Sequence, residues 1–210
     1  MDRALRRDVW LILGLLFGIV LAFTLDAYGL ERCKQYVHVV RQQHEKYFGL
    51  DYPYWYGVGQ LQQESNCRAD VTAFDGGMGL TQFMPATVRG AEKYLGPLDM
   101  YNPSHAIRAQ AWYMSQIHKG NWSGALWLTY CFYNSGAGTM KKEYLRSIAA
   151  NSCHCDETNY DAMKAVCKRR VITLKSGALL DLCQVGYDYP KQIYRFGQKY
   201  KISDDRWRYW

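Results

Sequence analysis

Residues 76–87 read GGMGLTQFMPAT, in which a glycine-rich start is followed by apolar residues and a proline. Glycine adopts backbone conformations that other residues avoid, so its repeated use predicts a loop or small hairpin over residues 74–81. Pro85 suits the first turn of a helix, because a residue there has no intrahelical partner for its N–H. The stretch therefore predicts a loop that leads directly into a helix ending at about Leu95.

Two further motifs flank this loop. Residues 62–65 read QQES and end a predicted helix whose apolar positions Trp55, Val58 and Leu61 recur at helical spacing. Downstream, residues 133–138 read YNSGAG and end another apolar helical stretch. The three motifs follow one another as a helix end, a glycine-rich loop and a second helix end.

The rest of the chain also carries mainly helical patterns, with one short strand. The helix-start signals are asparagine, serine and proline residues, which suit capping positions and first turns. The predicted elements are a helix over 27–48, a helix capped by Asn102 and running to about His118, a helix capped by Ser123 and ending near Asn134, a helix over 139–150, a strand over 171–175, and a helix from Pro190 to about Tyr200.

Together the motifs resemble those of the lytic transglycosylase family in the lysozyme-like superfamily. In that family a Glu-Ser pair ends a helix, a loop with Gly-Leu-Met-Gln and Met-Pro-x-Thr follows, and Ala-Tyr-Asn-Ala-Gly comes later. The resemblance covers roughly residues 50–150, with a fainter tail at 189–190 and Tyr194. It implies a mainly α-helical, lysozyme-like (α+β) domain with a small hairpin or loop region. It also implies action on peptidoglycan without a metal or an organic cofactor.

Glu64 is the candidate catalytic acid, since cleavage of a glycosidic bond needs a proton donor at the leaving oxygen. Gly57 and Gln60 share its side of the helix; Gly57 is expected to leave room for a sugar, and partial burial to raise the carboxyl pKa. Most glycosidases use a second carboxylate, but Asp70 and Asp75, the nearest acids, match no catalytic position of the family. The resemblance implies one glutamate, acting first as acid and then as base, and a 1,6-anhydro product.

The resemblance also implies residues that support the acid or bind the substrate. They are Ser65 (backbone bonds at the helix end), Gln82 and Met84 (groove lining), Tyr133 (a hydroxyl near the Glu64 carboxyl), Asn134 (bracing of its loop) and Tyr194 (groove wall). The chain departs from the family pattern at Ala73, where a serine is common, and at Thr81, where a methionine is common. A hydroxyl that contacts substrate in the family is therefore missing.

The amino terminus predicts the compartment. Three arginines precede an uncharged run of 17 residues, which is at the short end of what spans a bilayer and longer than the apolar part of most cleaved signals. The pattern predicts a cytoplasmic basic tip at 1–8, a transmembrane anchor or signal at 9–25 and a transglycosylase domain at 27–210. The domain is expected in the periplasm on a single-pass inner-membrane anchor, or with a virion if the chain is phage-encoded.

Seven cysteines suit an oxidising compartment. Four of them lie in a segment at 151–186 that breaks the helical pattern and is interpreted as an insertion: Cys153, Cys155, Cys167 and Cys183. Cys153 and Cys155 are too close to pair comfortably with each other, so each is expected to pair with Cys167 or Cys183. A zinc site around His154 is the alternative, without the usual ligand spacing. Cys131, in an apolar helix, is the candidate buried free thiol.

The formal net charge of +7, from 26 basic and 19 acidic residues, favours an anionic partner. No nucleic-acid motif occurs in the sequence, so the expected partners are peptidoglycan strands and a membrane rather than nucleic acid. Two alternatives stay open. One is a goose-type muramidase that uses water, and the other is a wall-binding component of a secretion, conjugation or phage-entry machine with weak activity.

Overall fold

Helices make up most of this computed structural model. The residues that it describes are 29–121, 124–151, 160–169, 171–173 and 177–202. Several predictions concern residues outside this set: the anchor or signal expected at 9–25, the cap expected at Ser123, and the disulfides expected at Cys153 and Cys155. Within the set, no helix combines the length and apolar character needed to cross a membrane.

The mainly α-helical prediction is confirmed. Residues 29–34 are helical. The helices that follow them in the described segments are α1 (Val37–Phe48), α2 (Trp55–Ser65), α3 (Pro85–Leu95), α4 (Pro103–Lys119), α5 (Leu126–Ser135), α6 (Ala137–Asn151), α7 (Tyr160–Ala165) and α8 (Leu182–Gly197). The strands β1 (Val171–Thr173) and β2 (Leu179–Asp181) form an antiparallel pair. Short 3-10 helices occupy Gly79–Thr81 and Gln198–Tyr200.

Helix α2 lies at the centre of the domain, with most of its residues buried. Helix α8 approaches it very closely. A side chain at Gly59 would meet the Ile193 carbonyl oxygen at 2.4 Å, and one at Gly197 would meet the Trp55 carbonyl oxygen at 2.7 Å. Only glycine allows this backbone contact, in which the two helices run antiparallel. The contact places Tyr189, one turn before Ile193, beside the C-terminal half of α2.

Helix α1 packs against α2 through His44 and Gly57. His44 is fully buried, and a side chain at Gly57 would meet its Cε1 at 2.6 Å. Burial lowers the His44 pKa to about 4, so the ring is neutral near pH 7 and serves as a packing group. The expectation that Gly57 leaves room for a sugar is therefore wrong, because the imidazole fills that space.

The single helix expected over residues 27–48 is interrupted by a turn at 35–36 before α1 begins. The Tyr36 amide closes the turn by donating to the Cys33 carbonyl at 3.0 Å. Cys33 also forms a disulfide with Cys67, which follows α2. Cysteine spacing alone did not indicate this pair, because connectivity depends on contacts distant in sequence. The disulfide joins the N-terminal segment to the end of α2.

The glycine-rich loop folds into a small hairpin. Isolated β-bridges join Met78 to Thr72 and to Phe83. Gly79 has a φ of +61°, and a side chain there would meet the Met100 carbonyl oxygen at 1.9 Å. The loop can therefore lie against the segment before α4 only because this residue is glycine.

Two predicted helix starts after the loop are confirmed. Pro85 occupies the first turn of α3. The Asn102 side chain caps α4 by accepting from the amides of Ser104 and His105, and a proline again takes the first helical position. Both starts depend on local backbone chemistry, which is why the sequence alone located them.

The last helix begins at Leu182, eight residues before the predicted start at Pro190. Asp181 caps it by accepting two backbone N–H bonds. Pro190 lies in the helix interior, where a proline leaves the carbonyl four residues earlier without its helical donor. That carbonyl belongs to Gly186 and accepts a bond from the Cys131 thiol at 3.5 Å. Cys131 is buried and free, as predicted, and burial raises its pKa to about 12.

In the described part of the 151–186 insertion, Cys167 forms a disulfide with Cys183. The expectation that Cys153 and Cys155 would take these two partners is therefore wrong. The cause is the β1–β2 hairpin: antiparallel pairing brings the residues on either side of it together.

Arg169, in the segment interpreted as an insertion, binds residues of three helices. Its five N–H groups donate to both Glu143 carboxylate oxygens (2.7 and 2.8 Å), Ser135 Oγ (2.7 Å), the Leu182 carbonyl (3.1 Å) and Met140 Sδ (3.3 Å). These groups belong to α5, α6 and α8. The Glu143 side chain is 1% exposed and that of Arg169 is 12% exposed, so the ion pair is almost fully buried.

Glu143→Gln is expected to lower the free energy of unfolding by about 3–5 kcal/mol, because it leaves the Arg169 cation buried without a counter-charge. Urea unfolding followed by circular dichroism measures the loss. Glu31→Gln is the matched control, since Glu31 pairs with Lys34 at the surface, where the side chains are 70% and 51% exposed. This control should lose less than about 1 kcal/mol. Equal losses in the two variants would contradict the role given to the buried pair.

Candidate active site

Glu64 is the next-to-last residue of α2 and is half-buried. The helix ends just after it, because Asn66 and Cys67 adopt left-handed φ values of +52° and +56°. Their amides donate to the carbonyls of Gln62 at 2.9 Å and Leu61 at 3.1 Å. These bonds and the disulfide at Cys67 hold the carboxyl on a well-defined helix end.

The Glu64 carboxyl has a pKa raised from 4.5 to about 7. Burial is the main cause, since it disfavours the charged form, and the charge of Asp75 raises the pKa further. A hydrogen bond from Tyr189 acts in the opposite direction. Near neutral pH a large share of the carboxyl is therefore protonated and able to donate a proton.

A chain of buried polar side chains orients this carboxyl. The Tyr189 hydroxyl donates to Glu64 Oε1 and accepts from Gln60 Nε2 at 3.1 Å. Gln60 Oε1 in turn accepts from Gln110 Nε2 at 2.8 Å. Since Gln60 donates to the Tyr189 oxygen, the tyrosine directs its single proton at Glu64. Oε1 is therefore engaged as an acceptor, which favours Oε2 as the oxygen that carries the proton of the neutral acid.

Tyr133 was expected to place its hydroxyl near Glu64, and burial followed by the charge of Glu64 raises the pKa of that hydroxyl. Tyr133 does not donate to the carboxyl, however. Its hydroxyl donates to the Thr81 carbonyl at 2.6 Å, and its ring stacks on Tyr189 at 6.5 Å. Tyr133 thus braces the glycine-rich loop, while Tyr189 binds the acid. The sequence signal for Tyr189 is the Tyr-Pro pair at 189–190, which predicts a helix start, whereas the structure places both residues inside α8.

Gln82 and Ser65 both hold the backbone of the loop. Gln82 Nε2 donates to the Gly79 carbonyl at 2.7 Å, and a side chain at Gly77 would meet Gln82 Oε1 at 2.8 Å. Ser65 Oγ lies 2.9 Å from the Leu80 carbonyl oxygen, which is the kind of backbone bond expected of it. The amide of Gln82, expected to line the groove, therefore has a structural bond as well.

The loop surface around Ala73 offers no substitute for the missing serine. Thr72 Oγ1 lies 2.7 Å from the hydroxyl of Tyr101 and is engaged there. The Ala73 amide donates to the carbonyl of Gly77 at 2.9 Å within the loop.

Met84, expected to line the groove, is 41% exposed and accessible to a ligand.

Asn134 and Tyr194 do not meet Glu64. Asn134 is exposed, and its Oδ1 accepts from Ser135 Oγ at 3.2 Å. Tyr194 makes an edge contact with Trp55 at a ring distance of 5.7 Å. Trp55 is the first residue of α2, about 13 Å along the helix axis from Glu64. The structure therefore separates the predicted groove-wall residue from the acid.

A cleft of about 400 Å³ lies between the end of α1, the end of α4 and the start of α5. Its walls include Tyr47, Tyr52 and His118. It is near the N-terminal ends of α2 and α5, whereas Glu64 and Tyr133 are near the C-terminal ends of these helices. The cleft is therefore separate from the Glu64 site.

The zinc alternative rested on Cys153, His154 and Cys155, which lie outside the described residues. In the part of the chain that is described, no three His, Cys, Asp or Glu side chains are grouped so as to hold a metal ion. Cys167 and Cys183 are joined to each other, so neither offers a thiolate ligand in this state.

Tyr189→Phe is expected to raise the pKa of Glu64 above about 7, because the hydrogen bond it removes stabilises the carboxylate. Carbon-13 NMR titration of the glutamate carboxyl groups measures this shift. Tyr160→Phe is the control, since the hydroxyl of Tyr160 bonds to the carbonyl of Tyr187 instead. An unchanged or lowered Glu64 pKa in Tyr189→Phe would contradict the contact.

Comparisons with known proteins concern the fold and the family of the chain. A search of curated proteins found no match. Lytic transglycosylase Slt of Pseudomonas aeruginosa, solved as an inactive mutant, is 20% identical, with a TM-score of 0.56 over 78% of this chain and 23% of its own. The 70 kDa soluble lytic transglycosylase SLT70 of Escherichia coli is 18% identical, with a TM-score of 0.52 over 76% of this chain and 23% of its own.

These similarities show a shared fold, and the chain spans about a quarter of the length of either structure. A family model described as the transglycosylase SLT domain matches residues 42–151, which are 110 of the 210 residues. The matched range contains all three motifs, and therefore also Glu64. The chain therefore belongs to the transglycosylase SLT domain family.

Proposed function

We propose that the chain is a peptidoglycan lytic transglycosylase. It cleaves the β-1,4 bond between N-acetylmuramic acid and N-acetylglucosamine and leaves a 1,6-anhydro end. The observation that carries this proposal is the Glu64 carboxyl, whose pKa is raised to about 7 and which Tyr189 binds at one oxygen only. Membership of the transglycosylase SLT domain family supports it.

The reaction uses one carboxyl twice. Protonated Glu64 gives its Oε2 proton to the glycosidic oxygen as the bond from that oxygen to C1 breaks. The resulting carboxylate then accepts the proton of the C6 hydroxyl of the muramic acid while that oxygen bonds to C1. One proton leaves and one returns, and no water is consumed. A pKa near 7 suits both steps, since the group must be a competent acid and then a competent base.

Tyr189 serves the second half of this cycle. Without this hydrogen bond, burial would destabilise the Glu64 carboxylate more strongly and would raise the pKa of the carboxyl still further. The tyrosine hydroxyl stabilises the charged form that exists between the two proton transfers. Gln60 and Gln110 hold that hydroxyl in place, so the stabilising dipole does not have to reorganise during the reaction.

Hydrolysis of the same bond is the second candidate, and Asp75 is the observation in its favour. After burial, its charge is the second cause that raises the pKa of Glu64, so Asp75 is the acidic residue that interacts electrostatically with the candidate acid. However, Asp75 is exposed, and its Oδ1 accepts from the Gly77 amide at 3.2 Å. Its carboxylate is thus engaged by its own loop, which favours the single-carboxyl reaction.

Glu64→Gln is expected to keep the fold and abolish release of 1,6-anhydro muropeptides from purified sacculi, because an amide cannot donate the proton. Mass spectrometry of the digest measures the products. It also separates the two reactions, since a hydrolytic product carries one additional water. Release at the wild-type rate by Glu64→Gln would reject the assigned acid.

Asp75→Asn is the matched carboxylate variant. Under the proposal it still forms the anhydro product, and its Glu64 pKa is lower because a neighbouring charge has gone. Products that carry an additional water in the wild type, and are lost in Asp75→Asn, would instead support the muramidase. The two outcomes differ in mass and do not depend on the size of the rate change.

We also propose that residues 9–25 anchor the domain at 27–210 in the inner membrane, with the domain in the periplasm. If the chain is phage-encoded, the protein is instead associated with the virion. The basic tip and apolar run support the anchored, periplasmic placement, and so do the disulfides at Cys33 and at Cys167, because disulfides persist in oxidising compartments. Local wall opening within a secretion, conjugation or phage-entry apparatus fits this placement. The insertion at 151–186 would then be its docking element.

Removal of residues 1–26 is expected to move the protein from the membrane fraction to the soluble fraction, because the apolar run is the proposed anchor. Quantitative blotting of the fractions measures the change, and activity on purified sacculi is the control that should not change. Recovery of the full chain in the soluble fraction would contradict the anchor. A mature chain that starts near Ala27 would identify the run as a cleaved signal.

A further inference from the structure

The segment that follows the proposed anchor lies at the end of helix α2 that carries Glu64. Gly29 is buried, and a side chain there would lie only 2.2 Å from Asn66 Oδ1. Arg32 Nη1 donates to the Asn66 carbonyl at 3.2 Å. We name residues 29–34 the entry segment. This segment therefore contacts the residue that follows α2, two positions after the candidate acid.

The entry segment is fixed in this position. Cys33 is fully buried and forms a disulfide with Cys67, which also follows α2. Leu30 packs against the hydrophobic core that contains both cysteines. A covalent bond, a hydrogen bond and buried apolar surface thus hold this short helical stretch on the domain. The place where the chain enters the domain is therefore a fixed point rather than a flexible connection.

The length of chain between the apolar run and the entry segment limits how far the acid can lie from the membrane. Only residues 26–28 separate the run, which ends at Leu25, from Gly29. Even a fully extended chain spans at most about 14 Å over that interval. Since Gly29 contacts Asn66, the backbone of Glu64 lies within roughly 30 Å of the end of the run. This limit follows from covalent length and from the contacts of the entry segment alone.

The opposite end of α2 lies away from the entry segment. Trp55, the first residue of the helix, is about 13 Å along its axis from Glu64, and the cleft between α1, α4 and α5 is near that end. A chain that entered the domain there would hold the Glu64 carboxyl further from the bilayer. The fold instead brings the entry point and the candidate acid to the same end of α2.

We infer that the substrate of the Glu64 site is glycan held at the membrane surface, in the form of strands attached to the bilayer by a lipid at one end. The lipid keeps the bonds of such a strand within the distance that the entry segment allows, whereas wall that lies further out is beyond reach of the carboxyl. Local opening of the wall would then begin at strands still held at the membrane. This inference rests on the proposed function and on the proposed anchor, and it names the glycan on which that reaction acts.

The test lengthens the connection between the anchor and the entry segment and leaves the domain itself unaltered. The full chain is reconstituted in vesicles with a flexible Gly/Ser linker of about 40 residues, which reaches roughly 35 Å on average, inserted between Ala27 and Tyr28. The matched control carries the same linker between Asp8 and Val9, on the other side of the proposed anchor. The substrates are short glycan strands with a lipid at one end, placed in the same vesicles, and the same strands without the lipid, in solution.

The linker after Ala27 is expected to lower release of 1,6-anhydro product from the lipid-linked strands about tenfold, because the effective concentration of two groups held on one surface falls as the tether lengthens. Release from the free strands should not change, since these strands reach the site by diffusion in either case. The control linker should change neither rate. Energy transfer from a dye at the exposed residue Asp70 to acceptor lipids gives a second readout, and it should be high in the wild type and fall only with the linker after Ala27.

Normal release from free strands, together with equal release from lipid-linked strands by the wild type and the lengthened chain, would overturn the inference alone. Weak energy transfer in the wild type would also overturn it, because the domain end that carries Glu64 would then lie away from the bilayer. A wild type that releases no anhydro product from either substrate, while energy transfer is strong, would reject the proposed function and leave the position of the domain unaffected. A wild type that does not float with the vesicles would reject the anchor, and the inference with it.

Discussion

The backbone contact between α2 and α8 is the constraint on which the site depends. Gly59 and Gly197 let the two helices approach so closely that a side chain at either position would collide with the opposite backbone. At this separation Tyr189 reaches Glu64 across the interface. A larger residue at Gly59 would push α8 outward and separate the hydroxyl from the carboxyl without touching either. Gly59 and Gly197 therefore set the position of the Tyr189 hydroxyl relative to the Glu64 carboxyl, although neither glycine contacts that carboxyl.

The same interface buries a polar chain that packing alone would disfavour. Gln110, Gln60 and Tyr189 are all buried, and each must find partners or incur a desolvation cost. Gln110 donates to Gln60, Gln60 donates to Tyr189, and Tyr189 donates to Glu64, so most of their polar atoms have a partner. Gln110 Oε1 has none among the described residues. The result is a carboxyl with a pKa near 7, in which desolvation outweighs the stabilising hydrogen bond. Some stability is thereby exchanged for a carboxyl that is partly protonated at neutral pH.

The insertion is coupled to the same region through Arg169. Its guanidinium binds Ser135, two residues after Tyr133, and Glu143 on the next helix. Gly186 makes room for it, since a side chain there would lie 1.9 Å from Nη1 of Arg169. A change at the insertion would thus reach the end of α5, from which Tyr133 braces the glycine-rich loop. Arg169 therefore links the described part of the cysteine-rich segment to the helix that carries Tyr133.

The sequence by itself determined the three motifs, the candidate acid Glu64 and the helix starts at Pro85 and Asn102. These depend on local backbone preferences and on short spacings, which a linear pattern records. Only the tertiary structure decided that Tyr189 rather than Tyr133 binds the acid, across 125 positions of sequence, and that Cys33 pairs with Cys67. The physical reason is that such contacts depend on how closely two helices approach, and no local pattern encodes that distance.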